Sequence, residues 1–385
     1  MTRWLTGARD DPAERAHRVV PAALRAAYAW TVRHEHHDAM REVARMTGVV
    51  MEAHGPGHGP TTPIGLISCL RRRLGLLPAL AGGRNTEISQ VVLLGSDDRL
   101  TPDAYDLACE YALPVHGAPD APQWMPTWTW MHADQIRRHT FKTLMDGRDQ
   151  ERYVASRRFL VENPAGLRSE LGELIAESGV RPPPRGYTAI PSGHVHRSPD
   201  GRSWWWPCAV CHWPMAVAGT TVRCRHRPHS AVYRLTEATT AASRPSLSRI
   251  DEGRPRLARP VARPTADSLC VDSGIWRSVV VPGVSELRVK RSLEELGATV
   301  ELWPRLDRYD LHVRAADEEF TVDLKEYHSA HRLIADLRSR PPEVRILLPK
   351  THEHQLETLR TALPSLRVTT ETKFCTEVRR ALRTV

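Results

Sequence analysis

The chain has 385 residues, 41% of them hydrophobic and 26% charged. That balance excludes a wholly disordered chain, and a length prior of ~150 residues per domain predicts two or three globular domains. No run of ~18 apolar residues occurs and Met1-Thr2-Arg3-Trp4-Leu5-Thr6-Gly7 lacks a signal-peptide core, so a cytoplasmic protein with no membrane partner is expected. Lys+Arg 54 against Asp+Glu 45 gives +9, with a pI near 9.4. The excess favours a polyanionic partner, nucleic acid first, although an Arg-rich composition alone would give the same sign.

The first domain expected, 1–180, is mainly helical. Ala22 to Val32, just after Pro21, and Asp38 to Met51 carry apolar residues at helical spacing. Thr101-Pro102-Asp103 reads as a helix start, with a capping hydroxyl and proline at the first helical position. Asn163-Pro164 reads as another, leading into Leu167, Leu171, Leu174 and Ile175, and Pro182-Pro183-Pro184 closes the region as a stiff spacer. Residues 187–234 have the Trp, Gly, Pro and Cys texture of a small β-rich module. Residues 235–265, with Arg254-Pro255-Arg256 and Arg263-Pro264, read as a basic linker with little core of its own. From 270 to 385 the order helix, three strands, helix, strand, helix, strand, helix predicts an α/β domain able to bury its own core. The fold class expected is therefore α+β multidomain.

Seven cysteines are an odd number, and Cys69, Cys109, Cys270 and Cys375 are scattered, which does not form a disulfide framework. The other three cluster. Cys208-Ala209-Val210-Cys211 is a knuckle whose spacing lets two thiolates face one ion. Cys224 follows across an expected hairpin, and His226 or His229 can supply a fourth ligand. The four-residue gap after Cys224 favours His229. A Cys₃His set suits a closed, structural Zn²⁺, which would supply much of the folding free energy of so small a module. Three reduced, buried thiols are the alternative; a redox pair lacks the βαβ surroundings it needs. Trp204-Trp205-Trp206 is expected to pack this zinc-ribbon-like module rather than to stack on bases.

Two segments of the last domain alternate strictly. Phe320, Val322 and Leu324 point one way, and Thr321, Asp323 and Lys325 the other. Tyr309, Leu311 and Val313 are expected inward, with Asp310, His312 and Arg314 on the opposite face. A hairpin through Ala315 to Glu319 would bring Asp310, Asp323 and Lys325 together. Paired carboxylates are hard oxygen ligands suited to Mg²⁺ (or Mn²⁺), and a nearby lysine can orient a water or stabilise developing negative charge. Upstream, Glu286, Val289, Leu293 and Leu296 fall on one helical stripe between Ser285 and Leu296, so Glu286 is a further candidate ligand. Ala330, Leu333, Ile334 and Leu337 mark a crossover helix, and Val344 to Leu348 a buried strand.

This order and these residues resemble the PD-(D/E)xK restriction-endonuclease-like superfamily over residues 270–385. The wider pattern is Gly274-Ile275-Trp276-Arg277, Pro282-Gly283, Glu286-Leu287, Leu302-Trp303-Pro304, Tyr309-Asp310-Leu311 and Val322-Asp323-Leu324-Lys325, behind the Cys-Ala-Val-Cys-His-Trp-Pro-Met ribbon. It is similar to the endonuclease-like proteins associated with pPIWI-RE, a prokaryotic PIWI/Argonaute-like family. The resemblance implies Asp310 and Asp323 as metal ligands, Lys325 as the catalytic lysine and Glu286 as the helix acid. It implies a DNA endonuclease that works with a PIWI-like protein and a DinG-type helicase in defence against plasmids or phages. The usual proline before the first acid is Tyr309 here.

Other constellations are plainer. His34-Glu35-His36-His37 reads as a solvated helix face rather than a metal site. Trp124, Trp128 and Trp130 read as core or interface residues rather than base platforms. Leu70-Arg71-Arg72-Arg73-Leu74 offers phosphate contacts or a solvated face. No Walker loop, dinucleotide fingerprint or nucleophile elbow is present. The alternative to a nuclease is a non-catalytic subunit that docks on nucleic acid or on a partner, distinguished by acids and lysine that point apart or are locked in a structural ion pair. A sequence-specific transcription factor using the ribbon ranks last, since the ribbon lacks an obvious recognition helix.

Overall fold

The computed structural model describes residues 12–55, 57–80, 86–111, 138–183, 186–229, 231–237, 243–250 and 258–383. Trp124, Trp128, Trp130 and Arg254-Pro255-Arg256 lie outside the described residues. The chain forms two compact units. One comprises residues 1–130 with 326–343 and 352–368, the other 131–325 with 344–351 and 369–385.

The first unit is built on the helices Pro12–Thr31 and Ala39–His54. Ala23, Ala26 and Ala27 of the first and Val43, Met46 and Val50 of the second are buried in one core, and the small alanines let the axes approach closely. Pro21 lies inside the first helix rather than ahead of it. Burial of Val19 and Val20 on the upstream turn holds the helix together through a residue that removes one backbone hydrogen bond. The His34 to His37 run lies in the turns joining the two helices, not on a helix face. Helix Pro102–Glu110 starts as its sequence predicts: the Thr101 hydroxyl accepts from Ala104 N at 3.2 Å. Its last turn reaches a distant part of the chain. The Glu110 carboxylate accepts from the amides of His328 and Ser329 at 2.8 and 2.9 Å, and Asp106 Oδ2 meets Nε2 of the His328 ring at 3.1 Å. Burial alone would lower the His328 pKa, but these two carboxylates outweigh it and hold the ring well above the ordinary histidine range.

The second unit holds both candidate sites. Its largest sheet has five strands in the spatial order β1 (Thr299–Leu302), β2 (Leu311–Ala315), β3 (Glu318–Leu324), β4 (Arg345–Leu348) and β5 (Val368–Thr370). β1 to β3 form an antiparallel meander, and β4 runs parallel to β3 after the crossover segment containing Ala330–Ser339. The helix Val281–Glu294 precedes β1 and Glu371–Ala381 follows β5, so the element order from 270 onward is the one the sequence predicts. A second helix, Gln150–Glu162, lies against Val281–Glu294 so closely that a Cβ on Gly283 would stand 2.4 Å from Val161 Cγ2. The glycine of the Pro282-Gly283 pair is thus dictated by a helix–helix contact.

Two stretches differ from their sequence reading. Asn163-Pro164 ends a helix instead of starting one. Ala165–Leu167 pairs with Ser268–Val271, and the next helix begins only at Arg168. The presumed linker is partly a sheet: Ser246–Arg249 extends a four-stranded antiparallel sheet by pairing with Val232–Thr236, and Leu247 is buried beneath it. A single inward leucine with alternating polar neighbours suffices for an edge strand in a composition that otherwise looks disordered.

Candidate metal centre and acid site

The cysteine cluster is assembled by local chain geometry. His212 adopts a left-handed conformation (φ 55°), which turns the knuckle so that Cys208 N donates to Trp213 O and His212 N to Cys208 O, both at 2.9 Å. The hairpin of Ala216–Ala218 with Thr221–Arg223 then returns the chain at Cys224, and the turn Arg227–His229 brings in the imidazole. The donor atoms of Cys208, Cys211, Cys224 and His229 all lie within 4.8 Å of one another, and all four residues are buried. Cys211 Sγ is 3.9 Å from Cys224 Sγ, and Cys224 Sγ is 3.7 Å from His229 Nδ1. A tetrahedron with Zn–S of about 2.3 Å places adjacent sulfurs about 3.8 Å apart, close to these two separations, so the donor set suits zinc. His226 stacks edge-on against His229 at 4.6 Å and is not one of these four. Hydrogen bonds from the Cys211 and Cys224 thiols pull Cys208 below the ordinary thiol range, whereas burial pushes Cys211 and Cys224 up.

Aromatic packing joins this cluster to the helical lead-in of the C-terminal region. The Trp276 indole N–H donates to Cys211 Sγ at 3.4 Å, and its ring stacks on Trp213 with centroids 4.5 Å apart. Trp213 in turn donates to Val271 O at 2.8 Å. Trp204, Trp205 and Trp206 are buried in the same core, which is the packing use expected of them.

The acid site sits at the end of the β2–β3 hairpin. Leu311 pairs with Val322, and one step further along that register Asp310 stands opposite Asp323. β3 alternates as its sequence implies, with Phe320, Val322 and Leu324 buried and Thr321 and Asp323 half-buried. Asp310, unlike His312 and Arg314, is buried, and its Oδ2 accepts from Leu324 N at 2.7 Å. That carboxylate is used to close the hairpin as well as to face Asp323. Burial, then the negative charges of Glu286 and Asp323, push its pKa well above the carboxylate range, while Lys325 and Arg157 pull the other way. The four groups named by the sequence therefore share one electrostatic environment. Lys325 Nζ meets Asp323 Oδ2 at 2.7 Å, with side chains 26% and 18% exposed.

Glu286 differs in character. It is buried on the inward face of Val281–Glu294, and its two oxygens are occupied. Arg157 Nη2 donates to both, at 3.2 and 3.1 Å, and the Trp303 indole N–H donates to Oε2. Burial raises its pKa in spite of the guanidinium beside it. Among the described residues the oxygens of Glu286, Asp310 and Asp323 are not gathered within 4.8 Å of one another as the zinc-type donors are.

Arg157, Gln150 and Trp303 were not predicted as site residues. The turn between β1 and β2 is left-handed at Trp303, Arg305, Leu306 and Asp307 (φ 49°, 55°, 55° and 71°), although only Asp307 is of a type that visits this region readily. Such a conformation costs roughly 1–2 kcal/mol per residue, so the turn must be held from outside. Gln150 Nε2 donates to Trp303 O at 2.9 Å and its Oε1 accepts from Leu306 N at 2.7 Å. Arg157 pairs with Asp307 and lies over the Trp303 ring at 4.3 Å. Trp303-Pro304 was part of the resemblance, but no local signal in the sequence marks the helix 150–162 as its anchor.

Comparison with known families finds two matches. Residues 283–384 match a family described as "REase associating with pPIWI_RE", and residues 15–167 match one described as "pPIWI_RE three-gene island domain Y". The two matches associate the chain with the pPIWI-RE island and give it a REase-like C-terminal region. No curated protein and no solved structure matches. Among the described residues no helix is long and apolar enough to cross a membrane.

Proposed function

We propose that the chain is the Mg²⁺-dependent (or Mn²⁺-dependent) DNA endonuclease of a pPIWI-RE-type island, a PD-(D/E)xK-like enzyme acting in defence beside a PIWI-like protein and a DinG-type helicase. The observation that carries this reading is the convergence of Asp310, Asp323 and Lys325 at one hairpin end, within the segment that matches the REase family. Asp310 and Asp323 would hold the cation. Bound there, it would supply charge neutralisation at the scissile phosphate and a more acidic water. Leu324 N fixes the Asp310 carboxylate, and Lys325, on a half-exposed strand end, offers its ammonium to a phosphate oxygen. Glu286, with both oxygens engaged, adds negative charge behind Asp310 rather than a lone pair to the ion. The Cys208, Cys211, Cys224 and His229 set would hold a structural Zn²⁺ that stabilises the fold and takes no part in the cut.

A second reading, a nuclease-like subunit that docks without cutting, is favoured by one contact, the Lys325–Asp323 ion pair. The pair is partly exposed, and a divalent cation bound to Asp323 would compete with Lys325 for the same carboxylate. The test is nicking of supercoiled and R-loop-bearing plasmid by the full-length chain with the island's other proteins present. Mg²⁺-dependent nicking that disappears in Asp323→Ala supports the nuclease reading. Activity that survives this substitution, or no activity in the wild type, returns the chain to the docking role.

A further inference from the structure

We propose that Gln150 and Arg157, from the segment matching island domain Y, are positioning residues of the acid site. They hold the left-handed turn Trp303–Asp307 and, through it, the Asp310 backbone. The inference rests on the nuclease reading of that site and gives it a control point outside the REase match.

The connection runs through backbone and side chains already described. Trp303 N donates to Asp310 O at 2.8 Å, so the first residue of the turn is tied directly to the first acid. Gln150 bridges the two ends of the same turn, accepting from Leu306 N and donating to Trp303 O. Arg157 binds Asp307 at the far end of the turn and Glu286 on the neighbouring helix. Tyr153 Oη accepts from the same guanidinium at 3.2 Å. One face of Gln150–Glu162 therefore presents Gln150, Tyr153 and Arg157 at helical spacing to a turn that its own residues do not favour. The close seat made possible by Gly283 against Val161 keeps that face in register. Residues 15–167 and 283–384 would then depend on each other: the REase-like segment alone carries the acids, and the preceding segment sets where the first of them stands.

The experiment uses the full-length chain. Gln150→Ala removes both hydrogen bonds, Gln150→Glu keeps the acceptor for Leu306 N and loses the donor to Trp303 O, and Arg157→Lys keeps a charge but not the fork. Amide exchange across 303–311 is measured by mass spectrometry, beside the melting temperature and the steady-state constants for plasmid nicking. The expected result is exchange at least about tenfold faster in that peptide for Gln150→Ala, with Gln150→Glu in between and exchange in β4 unchanged. Misplacement of this kind costs about 10- to 100-fold in kcat with the KM for DNA held. Unchanged exchange, or a loss that follows melting temperature alone with kcat preserved in the folded fraction, overturns the proposal. Absence of nicking by the wild type would instead defeat the nuclease reading, while exchange would still decide whether the turn is clamped from this helix.

Discussion

The four donors of the cysteine cluster come from one short stretch, Cys208 to His229, and all are buried. The acids come from the residue just ahead of β2, from β3 and from the helix Val281–Glu294, and are supported by Arg157 from a helix 129 residues away from Glu286. The first arrangement is closed and fits a metal with no open position, which suits structure. The second leaves Asp323 and Lys325 partly exposed and sets the buried Asp310 beside other carboxylates, which suits chemistry. The cysteine set is complete within its own stretch, whereas the acid pair, though Asp310, Asp323 and Lys325 are just as local, leans on Glu286 and on Arg157 from distant elements.

The largest expected effect lies on the closed side. Binding of a structural zinc is worth roughly 10–16 kcal/mol in comparable small sites, so Cys224→Ser or chelation should unfold the module. Metal analysis should find about one zinc per wild-type chain, and tryptophan fluorescence of the Trp213–Trp276 stack should change on its removal. A chain that keeps its melting temperature without zinc would leave three buried thiols as the correct account. On the open side, Asp323→Ala should reduce cleavage by roughly a thousandfold, the scale of a lost electrostatic anchor, with little change in melting temperature. A substitution that removes both activity and fold would erase the contrast between the sites.

Arg157→Met should destabilise by about 3–5 kcal/mol, because Glu286 and Asp307 lose their counter-charge. Denaturant unfolding would read it, and simultaneous Glu286→Gln with Asp307→Asn should recover part of the loss. Gly283→Ala should cost about 1–3 kcal/mol through overpacking against Val161, measured as a lowered midpoint with an unchanged slope.

The smallest effect has an unusual sign. The folded-state pKa of Asp310 is raised above its unfolded value. Its contribution to stability is therefore present below the unfolded pKa and lost as pH rises through the folded one. Asp310→Asn should then raise stability at neutral pH, read as a higher melting temperature. The gain should shrink on acidification, while cleavage is lost throughout. A variant less stable than the wild type at pH 7 would show that Asp310 is held mainly as a hydrogen-bonded structural acid.

Much of the site was legible because strands alternate. Phe320, Val322 and Leu324 mark the inward face of β3, and that fixes Asp323 on the other side whatever surrounds it. The cysteine spacing was legible for the same reason, as geometry internal to a short segment. Asp310's burial was not, since it depends on the Leu324 amide across the hairpin. Nor was the Trp303–Asp307 turn: left-handed backbone is signalled by glycine or asparagine, and here it is imposed by Gln150 and Arg157 from far along the chain. The misread strand at Ser246–Arg249 follows similar logic, because one buried leucine in a polar run gains its meaning only from the strand beside it.

The most direct test of the acid pocket is Mn²⁺ binding to the zinc-loaded chain, followed by electron paramagnetic resonance. The account predicts one site whose affinity falls at least tenfold in Asp310→Ala and in Asp323→Ala, and which survives Lys325→Ala. Equal binding by all four proteins, or no site in the wild type, would contradict it.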